Sequence, residues 1–240
     1  MAQIFKAILF DLDGTLLDSN MQTFLPAYLA ALSARVAAAG IAPAEQFVPH
    51  LLAATQAMVA NDGRATNAEV FARAFFPFAG RSREELEPIF AAFYAEDFPR
   101  LRVLTRPIPD AQRVVEAAFA AGYDVVIATN PLFPATAVHQ RLVWAGIADL
   151  PYKLVTTYEN SFYAKPNPDY WAAICRYLGH PAATCLVVGD EHMDMIAAHA
   201  GCPTYLVPGP ATALQPDTPE PTYRGTLSEL MKLINDRPSL

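Results

Sequence analysis

The chain has 240 residues, with 17 lysines and arginines against 24 acids, a formal net charge of −7, and 53% apolar against 17% charged residues. That much apolar side chain supports a sizeable core and excludes a chain disordered throughout; the length suits one large domain, or a main domain with a smaller one. The acidic balance argues against a nucleic-acid or anionic-membrane surface, which needs a cationic field, but admits a small phosphate ester wherever a metal ion reverses the local sign.

The first segment, Met1-Ala2-Gln3-Ile4-Phe5-Lys6, runs straight into an apolar strand at Ala7–Phe10, without the pattern of a cleavable leader. No run of about eighteen uncharged apolar residues follows, so no membrane span is expected. From Ser19 to about Arg102 the sequence shows no strand pattern, and Ala, Leu and Phe recur at helical spacing. Thr66-Asn67-Ala68-Glu69 and Ser82-Arg83-Glu84-Glu85 both fit reciprocal helix-start caps. Pro88 sits awkwardly in the second, which leaves a start at Glu87 with Pro88 in the first turn as the alternative. Pro99, Pro107 and Pro109 punctuate the way out of this interval.

Further strands are expected at Tyr123–Ala128, Tyr152–Thr156, Thr184–Val188 and Thr204–Val207, each a near-continuous apolar run suited to a parallel strand covered on both faces. Asp110–Gly122, Pro134–Gly146, Pro168–Gly179 and His192–Gly201 read as helices, each closing on a glycine suited to the position after a helix end. The proline-rich stretch Pro208–Pro221 reads as an irregular surface loop, and Thr226–Asn235 as a last amphipathic helix. The pattern predicts an α/β fold with a doubly wound, mainly parallel sheet. Residues 1–18 and 103–240 are expected to form its core, and residues 19–102 an inserted all-helical cap. Cys175, Cys185 and Cys202 lack close-paired metal spacing and read as buried thiols of a reducing compartment, with the cytoplasm expected.

In an open α/β sheet, ligands bind beyond the carboxyl ends of the strands. Those ends carry Asp11-Leu12-Asp13-Gly14-Thr15-Leu16, then Thr129-Asn130, then Lys165-Pro166 in the connection after the third, and finally Gly189-Asp190-Glu191-His192-Met193-Asp194. Gathered at one rim, Asp11, Asp13 and Asp190 would repel one another. A hard divalent cation with oxygen ligands relieves that repulsion, and Mg²⁺ suits a site that also carries phosphate.

This ordered set resembles the haloacid dehalogenase superfamily, over essentially the whole chain. The resemblance implies an Mg²⁺-dependent phosphohydrolase acting on a small phosphorylated metabolite, phosphoglycolate-like or a sugar phosphate. It implies Asp11 as nucleophile and Asp13 as general acid and base. Gly14 would allow the sharp turn that lets amides face phosphate. Thr129, supported by Asn130, would bind the phosphoryl group, and Lys165 would offset its charge. Mg²⁺ would be held by Asp11, the Asp13 main-chain carbonyl and Asp190, with Asp194 behind them or reaching the ion through water.

An intact Asp13 argues against the dehalogenase branch, which lacks an acid there. The absence of lysine between Lys6 and Lys153 leaves a cap Schiff base unsupported. A phosphosugar mutase shares every motif and is the alternative, and a catalytically idle binding or regulatory module stands below it. Thr129 and Asn130 could instead cap the following helix. Glu191 and His192 read as loop or helix-start residues rather than metal ligands, and Arg64, Arg73, Arg81 and Arg83 as solvated helix-face arginines of which one could bind an anion. The oligomeric state is left open.

Overall fold

The computed structural model describes residues 5–79, 82–210 and 212–235, so Met1–Ile4 and Arg81 lie outside the described residues. In chain order, β1 (Ala7–Phe10) and β2 (Leu17–Ser19) precede four helices, α1 (Met21–Ala38), α2 (Ala44–Val59), α3 (Asn67–Ala79) and α4 (Arg83–Ala92). A π-helical segment, Phe93–Asp97, and a 3₁₀ segment, Phe98–Leu104, lead into β3 (Thr105–Pro107). The chain then alternates: α5 (Ala111–Ala120), β4 (Asp124–Ile127), α6 (Ala135–Ala145), β5 (Leu154–Val155), α7 (Pro168–Leu178), β6 (Cys185–Gly189), α8 (His192–Met195), β7 (Thr204–Leu206), β8 (Tyr223–Arg224) and α9 (Leu227–Asn235). The sheet order is β5-β4-β1-β6-β7-β8 with every pairing parallel, so the chain adopts the expected doubly wound α/β architecture with a helical insertion.

All four residues of β1 are fully buried, because both faces of the sheet are covered. The pleat sends Ile8 and Phe10 into a cluster with Val114, Val115 and Ala118 of α5 and Leu227, Leu230 and Ile234 of α9. Ala7 and Leu9 enter the opposite cluster, with Tyr170, Trp171, Ile174 and Cys175 of α7. The first cluster continues without a break into the insertion: Phe98 stacks on Trp144 of α6 with ring centroids 5.3 Å apart, and Phe24 of α1 lies against the same indole. Sheet and insertion thus share one apolar core.

The short strands β2 and β3, which the hydrophobic pattern did not announce, pair antiparallel where the chain enters and leaves the insertion. Three residues are too few to show a period of two, and the same holds for the two-residue β8. Ser19 accordingly belongs to a strand and not to the helical interval. Ser82 and Glu85 form the reciprocal cap of α4, so this helix starts at Arg83, not Glu87. Two capping hydrogen bonds outweigh the one that Pro88 forgoes inside the helix. The His192–Gly201 helix is α8 followed by a 3₁₀ segment, Ile196–Ala200. Residues 208–210 and 212–221 contain no helix or strand. No helix among the described residues is long and apolar enough to cross a membrane.

Candidate active site

β1 lies between β4 and β6, where the strand order reverses direction, and its ladder runs on past Phe10. Asp11 N–H donates to Val188 O at 2.8 Å, and Ala128 N–H to Phe10 O at 2.7 Å. Asp11 therefore leaves the sheet at its topological switch point, level with Ala128 and one residue short of Thr129. Beyond it the chain turns sharply, closed by Gly14 N–H to Leu17 O and Leu17 N–H to Leu12 O, both 2.8 Å. The turn needs φ of +91° at Gly14, and a Cβ there would collide with the Asp190 carboxylate. Gly14→Ala is expected to displace the Asp190 carboxylate and weaken the Mg²⁺ binding proposed below for it by about 10- to 100-fold, read as the Mg²⁺ dependence of the melting temperature. Unchanged Mg²⁺ affinity would remove Asp190 from the metal set.

Lys165 is the hub of the site. Its Nζ donates to Asp11 Oδ1 and to Asp194 Oδ1, each at 2.6 Å, and lies 5.0 Å from the centre of the Trp171 ring. Asp194 spends its other oxygen on the main-chain N–H groups of Asp190 and Glu191, at 3.2 and 3.4 Å, at the start of α8. Thr15 Oγ1 donates to Asp190 Oδ1 at 3.0 Å. Asp11, Asp190, Asp194 and Lys165 are all buried.

The Asp13 carboxylate is held by partners other than Lys165. Ser19 Oγ donates to its Oδ1 at 2.7 Å, and Arg141 Nη1 donates to its Oδ2. Thr129 does not cap a helix, since α6 is entered from Pro134. Its carbonyl is instead fixed by Tyr170 Oη and Thr156 Oγ1, at 2.9 and 2.7 Å. Asn130 Oδ1 accepts the main-chain N–H of Lys165 at 3.2 Å, which ties the loop after β4 to the loop that carries the lysine.

Burial pushes the Asp11 carboxyl well above its ordinary value, with Asp194, Asp190 and Asp13 adding repulsion and Lys165 opposing it. Burial, with Asp194 adding to it, pushes Asp190 up to about 7. Burial works to lower the Lys165 ammonium, but Asp11 and Asp194 more than offset it and hold it well above the usual lysine value.

Asp11, Asp190 and Asp194 each bring a carboxylate oxygen within 4.8 Å of the others. Asp11 Oδ2 and Asp190 Oδ2 are the oxygens of this group left without a hydrogen bond among the described residues. The Asp13 main-chain carbonyl accepts none of the hydrogen bonds that close the turn. Buried, repelling and oxygen-only, this donor set fits a hard divalent cation such as Mg²⁺. Asp194, with both oxygens engaged, fits a supporting position behind it.

Three contributors, Ser19, Arg141 and Asn67, are not among the site residues expected from the sequence. Ser19 lay in the presumed helical interval. Arg141 occupies the buried face of α6 with Ala137, Val138, Leu142 and Ala145, and a lone arginine on such an apolar stripe is the signal that could have found it. Asn67, recognised only within a cap, is fully buried. Its Nδ2 donates to Pro131 O at 3.1 Å and Tyr163 O at 3.3 Å, and its Oδ1 accepts from Asn61 Nδ2 at 2.8 Å. The insertion is thereby tied to both loops that carry Asn130 and Lys165. Arg64, Arg73 and Arg83 are exposed, and Arg64 and Arg83 pair with Asp62 and Glu87. Glu191 and His192 start α8, where His192 Nδ1 pairs with Thr218 Oγ1 at 2.8 Å. The three cysteines are free and buried.

The model of a hydrolase family, haloacid dehalogenase-like hydrolase, matches residues 5–201, and the chain belongs to the haloacid dehalogenase-like hydrolases. Its curated relatives are phosphatases. The N-acetylmuramic acid 6-phosphate phosphatase of Pseudomonas aeruginosa is 29% identical over 191 residues, covering 79% of this chain and 75% of that protein. The phosphoglycolate phosphatase of Rhodospirillum rubrum is 31% identical over 201 residues, covering 81% and 76%. The L-2-haloacid dehalogenase structure from Xanthobacter autotrophicus superposes with a TM-score of 0.59 at 19% identity, over 98% of this chain and 100% of that one, and shares the fold.

Proposed function

We propose that this protein is an Mg²⁺-dependent phosphatase that hydrolyses a small phosphomonoester through an aspartyl-phosphate on Asp11. The observation that carries the reading is the buried lysine that bridges Asp11 and Asp194 beside Asp190. The similarity to phosphoglycolate and N-acetylmuramic acid 6-phosphate phosphatases supports a substrate that is phosphoglycolate-like or a sugar phosphate.

Bound Mg²⁺ would supply positive charge against the phosphoryl oxygens. Asp11, its rotamer fixed by Lys165, attacks phosphorus; the new P–O bond forms as the ester P–O bond breaks. Asp13 gives a proton to the departing alkoxide. It then takes one from the water that attacks the aspartyl-phosphate, releasing inorganic phosphate and restoring the Asp11 carboxylate. Thr129 donates its hydroxyl to the phosphoryl group, with Asn130 holding its loop against Lys165. The insertion between β2 and β3 covers the site as a cap, excludes water and supplies substrate contacts.

The test is phosphate release from a panel of small phosphomonoesters, with Mg²⁺ and with a chelator. Release in Mg²⁺ alone is expected, and none from any substrate in Mg²⁺ overturns the reading. Asp13→Asn is expected to slow both half-reactions by roughly 10²- to 10³-fold. Burst and steady-state rates equal to the wild type would strip Asp13 of the acid–base role.

A further inference from the structure

Helix α3 starts against a loop of the core: the main-chain N–H groups of Asn67 and Ala68 donate to Ser161 O and Tyr158 O, both at 2.8 Å. Two side-chain amides extend this attachment to the rim of the site. Gly63 N–H donates to Asn61 Oδ1 at 3.1 Å, and Asn61 Nδ2 donates to Ala65 O at 2.9 Å and to Asn67 Oδ1 at 2.8 Å. Main-chain partners at both ends of the Asn61 amide fix which end donates, and Asn61 in turn fixes Asn67. Asn67 Nδ2 is thereby turned toward the core, with one hydrogen for Pro131 O and one for Tyr163 O.

Pro131 directly follows the Thr129-Asn130 pair, and Tyr163 stands two residues before Lys165. Two carbonyl oxygens facing one another repel, and a single NH₂ group that donates to each holds them at a set spacing. The insertion grips Tyr163 a second time: its phenol lies where a Cβ on Gly63 would sit, and Gly63 has φ of +85°. Asn130 Oδ1 links the same two loops by accepting from Lys165 N–H. Asp11 and Asp194 hold the Lys165 ammonium, but its separation from Thr129 depends on how the two loops stand to each other.

We propose that Asn67 is a positioning residue for phosphoryl transfer. Its amide sets the separation between the loop that carries Thr129 and Asn130 and the loop that carries Lys165. It acts through the Pro131 and Tyr163 carbonyls, so the insertion is part of the catalytic framework as well as a cover. The proposal rests on the phosphatase reading and deepens it. A loosened rim still offers its charges to a phosphate but misaligns the attack, and a misplacement of about 1 Å costs roughly 10²-fold in rate. The effect therefore falls on kcat.

The test compares three variants. Asn67→Asp keeps the shape but faces both carbonyls with an acceptor, and Asn67→Ser has one hydroxyl hydrogen for the two of them. Thr66 caps the same helix, its Oγ1 accepting from Glu69 N–H at 3.2 Å, so Thr66→Ala loosens the helix start and leaves the amide in place. kcat and KM are measured in Mg²⁺ on the phosphomonoester that the wild type hydrolyses fastest, alongside thermal unfolding of each protein. Both Asn67 variants are expected to lose about 10- to 100-fold in kcat, with KM within about threefold of the wild type. Thr66→Ala is expected to melt lower and to keep kcat within about twofold. The proposal is overturned by wild-type kcat in folded Asn67 variants, by a loss confined to KM, or by an equal loss of kcat in Thr66→Ala; each leaves the phosphatase reading standing. A wild type that releases phosphate from no ester overturns both. Asn67→Ser keeps the main-chain bonds to Ser161 and Tyr158, so it carries the test if Asn67→Asp fails to fold.

Discussion

Asp11→Asn is expected to lower turnover by ~10⁴-fold or more while the protein stays folded. The amide matches the carboxylate in shape, so the strand end and the turn at Gly14 keep their geometry. It cannot, however, form the aspartyl-phosphate proposed above for Asp11, which would divide the hydrolysis into two displacements. Stability should hold or rise, because the substitution removes a charge from a buried group of acids whose repulsion and desolvation already push Asp11 upward. Lys165 keeps Asp194 as its partner at 2.6 Å. Phosphate release and thermal unfolding, measured on one preparation, check both halves. Turnover near the wild-type rate would show that another group attacks phosphorus.

Lys165→Met carries the largest expected effect on stability. The Lys165 side chain is 2% exposed and its ammonium lies 2.6 Å from each of two buried carboxylates, so its removal leaves both buried acids without their cation. Breaking a buried ion pair from one side costs about 3–5 kcal/mol. Methionine fills much of the same volume, so the loss reads out charge and not a cavity. Urea unfolding should show the decrease, and Mg²⁺ should restore part of it by supplying positive charge to the same oxygens. Turnover should fall with it, since Asp11 loses the contact that fixes its rotamer. An unfolding free energy equal to the wild type would mean that protons, and not the lysine, neutralise the cluster.

The sheet and the rim were legible because they rest on local chemistry. Ala7–Phe10 is a fully apolar run that ends abruptly in acids, and Cys185–Gly189 ends in the same way. Asp11 and Lys165 lie 154 positions apart, yet each follows a recognisable strand end or Lys-Pro step, and parallel pairing brings such ends together. Ser19 and Arg141, which clamp Asp13, could not be read in this way. Arg141 reaches Asp13 across 128 positions and sits in the middle of a helix, where the one local hint is its place on the apolar stripe of Ala137, Val138, Leu142 and Ala145. Ser19 depends on a three-residue strand whose partner, Thr105, lies beyond the whole insertion. Local pattern announces where the chain turns polar. It does not announce which helix face will be turned inward by packing such as that of Phe98 on Trp144.

The hydrogen bonds of Asn67 bear on how such insertions can be exchanged between proteins. Through this one amide, helix α3 satisfies carbonyls at Pro131 and Tyr163, in the connections after β4 and β5. The main-chain N–H groups of Asn67 and Ala68 add bonds to Ser161 and Tyr158, both at 2.8 Å. A graft that replaced this helical segment with that of a relative would leave those loop carbonyls orphaned unless it also brought an asparagine pair at positions 61 and 67. The unit of inheritance here is therefore the helix together with the two loops it grips, and a chimera joined at the β2 and β3 stalk would inherit a helical insertion without the struts that tie it to those loops.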